Sequence, residues 1–176
     1  MMGLIGRKLG LIALMVAFAP GLAAAAETAS GDLKGVDGAS LGSVTVTEAP
    51  AGVILRVQVK GISPGWHGMH FHETGDCAAP KFSSAGGHVH ATAPVLHGFL
   101  TPDANDAGDL PNIHVAEDGT ATVELYSTLV SLKPGADRPA LLDENGAALV
   151  IHANPDDYQS QPIGGAGDRI ACAVLR

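Results

Sequence analysis

Histidines are concentrated in one short part of the chain. Of its eight histidines, six fall within about thirty residues, and these are His67, His70, His72, His88, His90 and His97. In the segment GMHFHE, residues 68–73, a β-strand would direct His70 and His72 to one face and the apolar side chains between them into the core. Two imidazoles on one face can chelate a metal ion. An isolated pair of this kind is common, however, and more often belongs to a half-exposed strand without a metal.

Further metal-ligand types follow this pair. His88, His97 and Asp109 lie in a segment rich in Gly, Pro, Asp and Asn. His152 ends an apolar strand and is followed four residues later by Asp156. Neutral imidazole suits copper and zinc, whereas carboxylates alone suit harder cations. A set dominated by histidine and lacking thiolates, in an exported protein, therefore points to Cu(II) or Zn(II).

Export is predicted from the first 26 residues. Arg7 and Lys8 precede an apolar run at residues 9–19, and a string of small residues ends at Ala26. This order is typical of a secretory signal peptide cleaved near Ala26. The run is shorter than the roughly 20 residues of a membrane-spanning helix, and no cysteine follows it to carry a lipid. We therefore expect a signal peptide at 1–26 and one domain at 27–176.

The charge balance excludes two classes of partner. The chain has 18 acidic and 10 basic residues, a net charge of −8. Cleavage removes Arg7 and Lys8 and no acidic residue, which takes the net charge from −8 to −10. Since no cluster of Lys and Arg is visible, we expect neither nucleic-acid binding nor docking of the mature chain on an anionic membrane. With 46% apolar and 16% charged residues, the chain can also bury a core.

Two cysteines, Cys77 and Cys172, are the only ones in the chain. An exported protein meets an oxidising compartment, so a disulfide between them is the expected state.

The elements that must position these residues are predicted to be β-strands. Apolar and polar residues alternate at 43–47, 53–60 and 121–126, as in strands with one buried face. Asp118-Gly119 and Asn145-Gly146 predict hairpin turns. Short strands at this spacing indicate an all-β sandwich or barrel. Two long stretches lack this alternation, residues 74–111 and 153–168, and they are predicted to be functional loops.

Five segments contain most of the candidate ligands and their neighbours, and they are GMHFHETGDC (68–77), SAGGH (84–88), GDLPN (108–112), LVIHANPDD (149–157) and GGAGDRIACAVL (164–175). In their residues, order and spacing, these segments resemble the copper/zinc superoxide dismutases in their bacterial secreted form. The resemblance covers nearly all of the chain after the signal peptide. It implies a Greek-key, immunoglobulin-like β-sandwich or flattened barrel with two long functional loops.

The resemblance also implies roles for individual residues. Copper would be held by His70, His72, His88 and His152, and zinc by His88, His97 and Asp109, with His88 bridging the two ions. Asp156 would accept hydrogen bonds from the far nitrogens of His70 and His97. Arg169 would place a positive charge beside the copper, and His88 would take up and release a proton. Cys77 and Cys172 match the family's disulfide, and His67 matches a histidine that bonds to the backbone.

One position departs from the family pattern. The zinc site of the family has a third histidine three residues before its aspartate, and this chain has Asp106 there. Three outcomes are open: Asp106 ligates zinc, the extra His90 does, or zinc binds weakly. Because carboxylate oxygen is an acceptable zinc ligand, Asp106 is the favoured ligand, and His90 and His114 are expected to be surface histidines.

The activity implied is dismutation of superoxide to dioxygen and hydrogen peroxide, in the periplasm, by a monomer or a homodimer. The alternative is an exported copper-binding or copper-delivery protein on the same fold. A degenerate relative of that kind would be expected to lose a copper ligand or the arginine. This chain has kept all of them, which favours the enzyme.

Overall fold

The computed structural model describes residues 25–176, so the predicted signal peptide lies almost entirely outside the described residues. Within them, nine strands and one short 3-10 helix, Ser83–Ala85, account for the regular structure. The strands are β1 Thr28–Gly35, β2 Ser40–Ala49, β3 Gly52–Lys60, β4 Gly65–His67, β5 Met69–His72, β6 Ile113–Val115, β7 Thr120–Ser127, β8 Ala148–His152 and β9 Arg169–Val174. No helix within 25–176 has the length and apolar character needed to cross a bilayer.

Seven strands form one curled antiparallel sheet in the order β5-β8-β9-β1-β2-β3-β7. The other two, β4 and β6, pair with each other. The chain passes from β4 through Gly68 into β5, and from β6 through a tight turn into β7. The small sheet thus connects the two edges of the large one, which limits exposed strand edges. The all-β prediction is confirmed.

The core is formed by the inner faces of these strands. Along β3, Val53, Leu55 and Val57 are fully buried and alternate with solvent-exposed residues. Val57 lies opposite Val44 of β2, and Leu55 lies opposite Val46. Burial of each such side chain contributes about 1.5–3 kcal/mol. The period-2 pattern in the sequence therefore identifies the buried face of the sheet correctly.

Strand β1 has no such pattern, and the sequence did not predict it. Only Ala29, Leu33 and Gly35 of its eight residues are buried. Gly31 is needed because a Cβ there would lie 2.3 Å from the carbonyl oxygen of Val174. The strand is held by backbone pairing with β2 and β9, which leaves little trace in side-chain hydropathy.

The hairpin predicted at Asn145-Gly146 is wrong, since no strand precedes it. The backbone N–H groups of both residues donate to Oδ1 of Asp143, and the Asn145 amide donates to the carbonyl of Glu73. The turn therefore ties the loop before β8 to the end of β5. At Asp118-Gly119 the predicted tight turn is present, with the Gly119 N–H donating to the Ala116 carbonyl at 2.9 Å. The turn joins β6 to β7, but these strands belong to different sheets, so the predicted hairpin pairing is wrong here as well.

Both predicted long loops are present, from the end of β5 to β6 and from the end of β8 to β9. Because β5 and β8 are antiparallel neighbours, with His70 opposite Val150 and His72 opposite Ala148, the two loops begin at opposite ends of this strand pair. Met69 and Phe71 enter the core as predicted. His70 and His72 are also fully buried, because the loops cover the face of β5 that carries them.

A disulfide joins Cys77, near the start of the first loop, to Cys172 of β9, with the two Cα atoms 5.8 Å apart. The predicted pairing is confirmed. It spans 95 residues of the chain and fixes the first loop to the strand that carries Arg169.

Replacing both cysteines by serine is expected to lower the free energy of unfolding by about 4 to 5 kcal/mol, because the open chain regains the entropy of a closed loop of this length. Urea denaturation of the oxidised protein and of the double variant measures the difference. A change below about 1 kcal/mol would show that the loop is fixed by its other contacts.

Candidate metal centre

Four imidazoles converge on one point beneath the two loops. His70 and His72 come from β5, His152 from the end of β8, and His88 from the first loop. All four are buried, and each offers a ring nitrogen within 4.8 Å of those of the other three. The side chains that the sequence assigns to copper are thus brought together.

The first loop reaches this point by pairing with β5. His88 lies opposite His72, and Asp109 lies opposite His70. Phe71, between the two histidines, donates its N–H to the Gly108 carbonyl and accepts one from Val89, both at 2.9 Å. Gly108 is required because a Cβ there would lie 2.4 Å from the Phe71 carbonyl oxygen. The glycine of the GDLPN segment thus lets the loop approach the strand closely.

Each of the four rings has one nitrogen fixed by a hydrogen bond and one without a partner. Nε2 of His70 donates to Asp156 at 2.9 Å, Nδ1 of His72 to the Gly86 carbonyl at 3.0 Å, Nδ1 of His88 to Asp106 at 2.6 Å, and Nδ1 of His152 to the Gly167 carbonyl at 3.0 Å. The unpartnered nitrogens are Nδ1 of His70 and Nε2 of the other three. Since acceptors fix the protons on the opposite side, four lone pairs face the common point.

Three of these imidazoles, those of His70, His72 and His152, are held in the neutral, ligating form. Burial, and then the proximity of His88, lowers the pKa of His72 to about 2. Burial, and then the proximity of His70, lowers the pKa of His152 to about 3. Burial also lowers the pKa of His70, although its hydrogen bond to Asp156 opposes the shift. A buried cluster of neutral imidazole nitrogens without hydrogen bonds has the chemistry of a copper or zinc site.

A second ligand set adjoins the first and shares His88 with it. His88, His97 and Asp109 lie close together with the stacked ring of His70, but the Nε2 of His70 is bonded to Asp156 and its Nδ1 belongs to the first set. Oδ2 of Asp106 lies 2.6 Å from Nδ1 of His88 and 3.2 Å from Nδ1 of His97. Ligands about 2.0 Å from a tetrahedral zinc would be about 3.3 Å apart. The contact with His97 is close to that spacing, whereas the contact with His88 is that of a short hydrogen bond.

The two carboxylates of this set each keep one oxygen for the site. Oδ1 of Asp106 accepts the N–H of Gly108 at 3.0 Å, and Oδ2 of Asp109 accepts the N–H of Gly98 at 2.8 Å. The other oxygen of Asp109 is buried without a hydrogen bond, 2.6 Å from Nδ1 of His97. Each carboxylate is therefore oriented to give a single ligand atom.

The negative charge of the carboxylates in this second set is balanced by protons held on imidazole nitrogen. Burial alone would lower the pKa of His97, but the carboxylates of Asp106, Asp109 and Asp156, which lie against its two ring nitrogens, raise the pKa to about 11. Burial alone would raise the pKa of Asp106, but hydrogen bonds from His88 and His97 lower it. A metal ion at this position would replace protons held on imidazole nitrogen, so its binding would release protons.

Asp156 connects the two sets. Its Oδ2 accepts from Nε2 of His70 at 2.9 Å, and its Oδ1 accepts from Nε2 of His97 at 3.1 Å. These are the two contacts that the resemblance assigns to it. Burial alone would raise the pKa of this carboxyl, but the hydrogen bonds from both histidines lower it.

Asn112 and Tyr158 hold Asp156 in place, and the sequence did not single them out for this role. The Asn112 side chain exchanges two 2.9 Å hydrogen bonds with the backbone of Asp156. The hydroxyl of Tyr158 accepts the Asn112 N–H at 2.8 Å, and the Tyr158 ring packs against Phe99, two residues after His97. Asn112 is the last residue of the GDLPN segment, and this segment could have indicated its role. Nothing in a single sequence indicates the role of Tyr158.

Replacing Asp156 by Asn is expected to weaken binding of both metals about 10- to 100-fold, the usual effect of losing a hydrogen-bond partner of ligating histidines. The matched control is Asp157→Asn, because Asp157 is exposed and bonds only within its own turn. Metal titration of the apoprotein in competition with chelators measures both affinities. Equal affinities in the two variants would contradict a connecting role for Asp156.

A cavity of about 280 Å³ opens on this centre, and it is lined by His88, Asp106 and Arg169 together with Val95, Pro162 and Ile163. Arg169 donates to the carbonyls of Phe82 and Gly86, both at 2.7 Å. The Gly86 carbonyl also accepts the hydrogen bond of His72. Among the described residues that line the cavity, Arg169 carries the fixed positive charge.

The remaining histidines lie outside the two sets. Nδ1 of His90 lies 2.8 Å from the His88 carbonyl, and its ring also lines the cavity. Nδ1 of His67 lies 2.8 Å from the His152 carbonyl and its Nε2 2.9 Å from the Ser63 carbonyl, which matches the structural role implied for it. His114 is exposed and packs on Trp66.

The family model and the relatives that match this chain belong to one family. The family model described as copper/zinc superoxide dismutase (SODC) matches residues 40–175. A Cu-Zn superoxide dismutase of Caulobacter vibrioides is 60% identical over 85% of this chain and 86% of that relative. A second such protein, from Aquifex aeolicus, is 40% identical over 84% and 86%.

Solved structures of proteins with similar names match the fold of this chain. A double mutant of a superoxide dismutase-like protein from Bacillus subtilis matches with a TM-score of 0.78 and 37% identity, over 83% of this chain and 95% of that one. The Cu/Zn superoxide dismutase from Brucella abortus matches with a TM-score of 0.67 and 26% identity, over 85% and 100%.

An all-β fold with two adjoining buried ligand sets defines a protein built to hold two metal ions side by side. The chain belongs to the copper/zinc superoxide dismutase family. The predicted family, oxidoreductase class and copper and zinc cofactors are thereby confirmed. The roles of individual residues stay predictions.

Proposed function

We propose that this protein dismutates superoxide at a copper ion held by His70, His72, His88 and His152. The observation that carries the proposal is the set of four buried, unpartnered imidazole nitrogens beside a cavity that contains a guanidinium. Bound copper would supply the one-electron redox chemistry that dismutation requires. The protein supplies the ligand set, the access route and the protons.

Arg169 attracts and orients the substrate. The mature chain would carry a net charge of −10, so an anion approaches it against an unfavourable overall field. Arg169 is held rigidly by the carbonyls of Phe82 and Gly86, and its charge is about half-buried in the cavity. In a narrow cavity with low-dielectric walls, such a charge reverses the local field and draws a small anion to the metal.

His88 holds and releases a proton at Nε2. This nitrogen is unpartnered, and its ring lines the same cavity as Arg169. Its Nδ1 faces Asp106 in the second set, which keeps the ring in position. A proton at Nε2 would lie where peroxide leaves, so His88 is placed to protonate the product.

Zinc is held by His88, His97, Asp109 and Asp106. Asp106 takes the place of the missing histidine because its Oδ2 lies within hydrogen-bond distance of Nδ1 of both imidazoles. His90 is the weaker candidate, since its Nδ1 contacts the His88 carbonyl rather than the imidazoles of this set. Zinc at this position would fix the bridging ring and leave its Nε2 for copper.

The experiment is elemental analysis of the protein loaded with copper and zinc, with dismutation assayed on the same sample. One copper and one zinc per chain with fast dismutation is the expected result. Asp106→Ala should still bind copper, about 10- to 100-fold more weakly because His88 loses its hydrogen-bond partner. It should bind zinc at least about 100-fold more weakly, because loss of a direct ligand exceeds the effect of losing an outer partner. His90→Ala is the control and should keep both metals.

Two results would count against these assignments. Full zinc in Asp106→Ala, together with its loss in His90→Ala, would transfer the ligand role to His90. Bound copper without dismutation would favour the copper-delivery alternative.

Arg169→Glu is expected to keep both metals and slow dismutation at low ionic strength by 10-fold or more, the lower end of the range for electrostatic steering. Added salt should slow the natural protein and accelerate the variant, since screening removes attraction in one and repulsion in the other. The control is Arg56→Glu, which makes the same charge change on the exposed face of β3, where Arg56 contacts Glu124. Similar salt dependence in both variants would exclude Arg169 as the steering charge.

We also propose export to the periplasm with cleavage near Ala26. The sequence of residues 1–26, the disulfide between Cys77 and Cys172 and the bacterial relatives support this location. The intact mass of the mature chain checks the cleavage site. A homodimer stays a prediction.

A further inference from the structure

The two ligand sets differ in donor type, although they are immediate neighbours. The copper set has four imidazole nitrogens, whereas the proposed zinc set has two imidazoles and the carboxylates of Asp106 and Asp109. The sets share His88, and the rings of His70 and His88 stack with centroids 4.1 Å apart. A metal ion that reaches one position can therefore reach the other, and only ligand chemistry can direct each metal to its place.

Affinity alone would not sort the metals. A given nitrogen and oxygen site generally binds Cu²⁺ more tightly than Zn²⁺, and soft ligands favour Cu(I). A second set rich in imidazole would therefore accept copper as well as zinc. An oxygen ligand in place of one imidazole makes the set harder and less suited to Cu(I).

The charge of the second set also disfavours Cu(I). With neutral imidazoles, two carboxylates balance the charge of a divalent ion, whereas a monovalent Cu(I) would leave one negative charge in excess. Asp106 and Asp109 are only 4% and 3% exposed, and an uncompensated buried charge is strongly unfavourable. With one carboxylate in the set, Cu(I) would be the ion that balances the charge.

The carboxylates are also fixed as ligands rather than as solvated surface charges. One oxygen of each is bonded to a backbone N–H, of Gly108 and of Gly98. The other oxygen of Asp109 is buried without a hydrogen bond and faces the set. Hydrogen bonds from His88 and His97 hold Oδ2 of Asp106 at the same place.

We infer that Asp106 is a specificity-determining ligand that keeps copper, above all Cu(I), out of the zinc position. This inference rests on the ligand set proposed above. Because an aspartate replaces the family's histidine, the two positions select their metals by different ligand chemistry.

The test is an anaerobic titration of the metal-free, disulfide-bonded protein with Cu(I) in competition with bicinchoninate. The natural protein should bind one Cu(I) per chain tightly. Asp106→His should bind a second Cu(I) at least about tenfold more tightly than the natural protein does, an effect at the lower end of those seen for altered metal surroundings. Loading with zinc beforehand should abolish this second uptake.

The matched control is Asp103→His, which adds an imidazole at an exposed position of the same loop. Asp103 already has a positive φ of 59°, a conformation that histidine tolerates better than most residues. This variant should bind one Cu(I), like the natural protein.

Two tight Cu(I) ions in the natural protein, or no second ion in Asp106→His, would overturn the inference. Zinc titration of the same samples separates it from the proposed zinc set. Absence of zinc binding by the natural protein would refute that set, whereas a second Cu(I) in Asp106→His would still support exclusion of copper by Asp106.

Discussion

The structure depends on burying four imidazole lone pairs that have no hydrogen-bond partner. A buried polar group without a partner costs about 1–3 kcal/mol, so four of them together oppose folding by a large fraction of the stability of a small domain. The apolar core of the sheet and the long-range disulfide offset this cost. A bound metal ion satisfies all four nitrogens at once, and in this way the least favourable feature of the apoprotein becomes its binding site.

The fold orients each copper-set imidazole through a hydrogen bond to the ring nitrogen that faces away from the metal position. Two of the copper-set imidazoles donate to backbone carbonyls, and the other two donate to Asp156 and Asp106. Every one of these acceptors belongs to the two long loops. The scaffold thus provides the strands β5 and β8, while the loops decide which nitrogen carries the proton. Because the Gly86 carbonyl serves both His72 and Arg169, the loop also fixes the distance between the copper ligands and the steering charge.

The sequence predicted the parts of this arrangement that have a pattern of residue types. Alternation located β3 and β7, and the H-x-H pair located the ligand strand. Strand β1 was not predicted, because backbone pairing rather than apolar side chains holds it in place. The role of Tyr158 could not be predicted, since it depends on three loop segments meeting in space. The burial of His70 and His72 was also unexpected, because a period-2 pattern cannot show that a loop covers the polar face.

The spacing of the ligands along the chain has a consequence for how the centre is assembled. The ligands on β5 and β8 are about eighty residues apart in the chain. The proposed zinc ligands are all present once the chain has reached Asp109, whereas the copper set also needs His152, which β8 brings to β5, so the copper set is completed after the zinc set during synthesis.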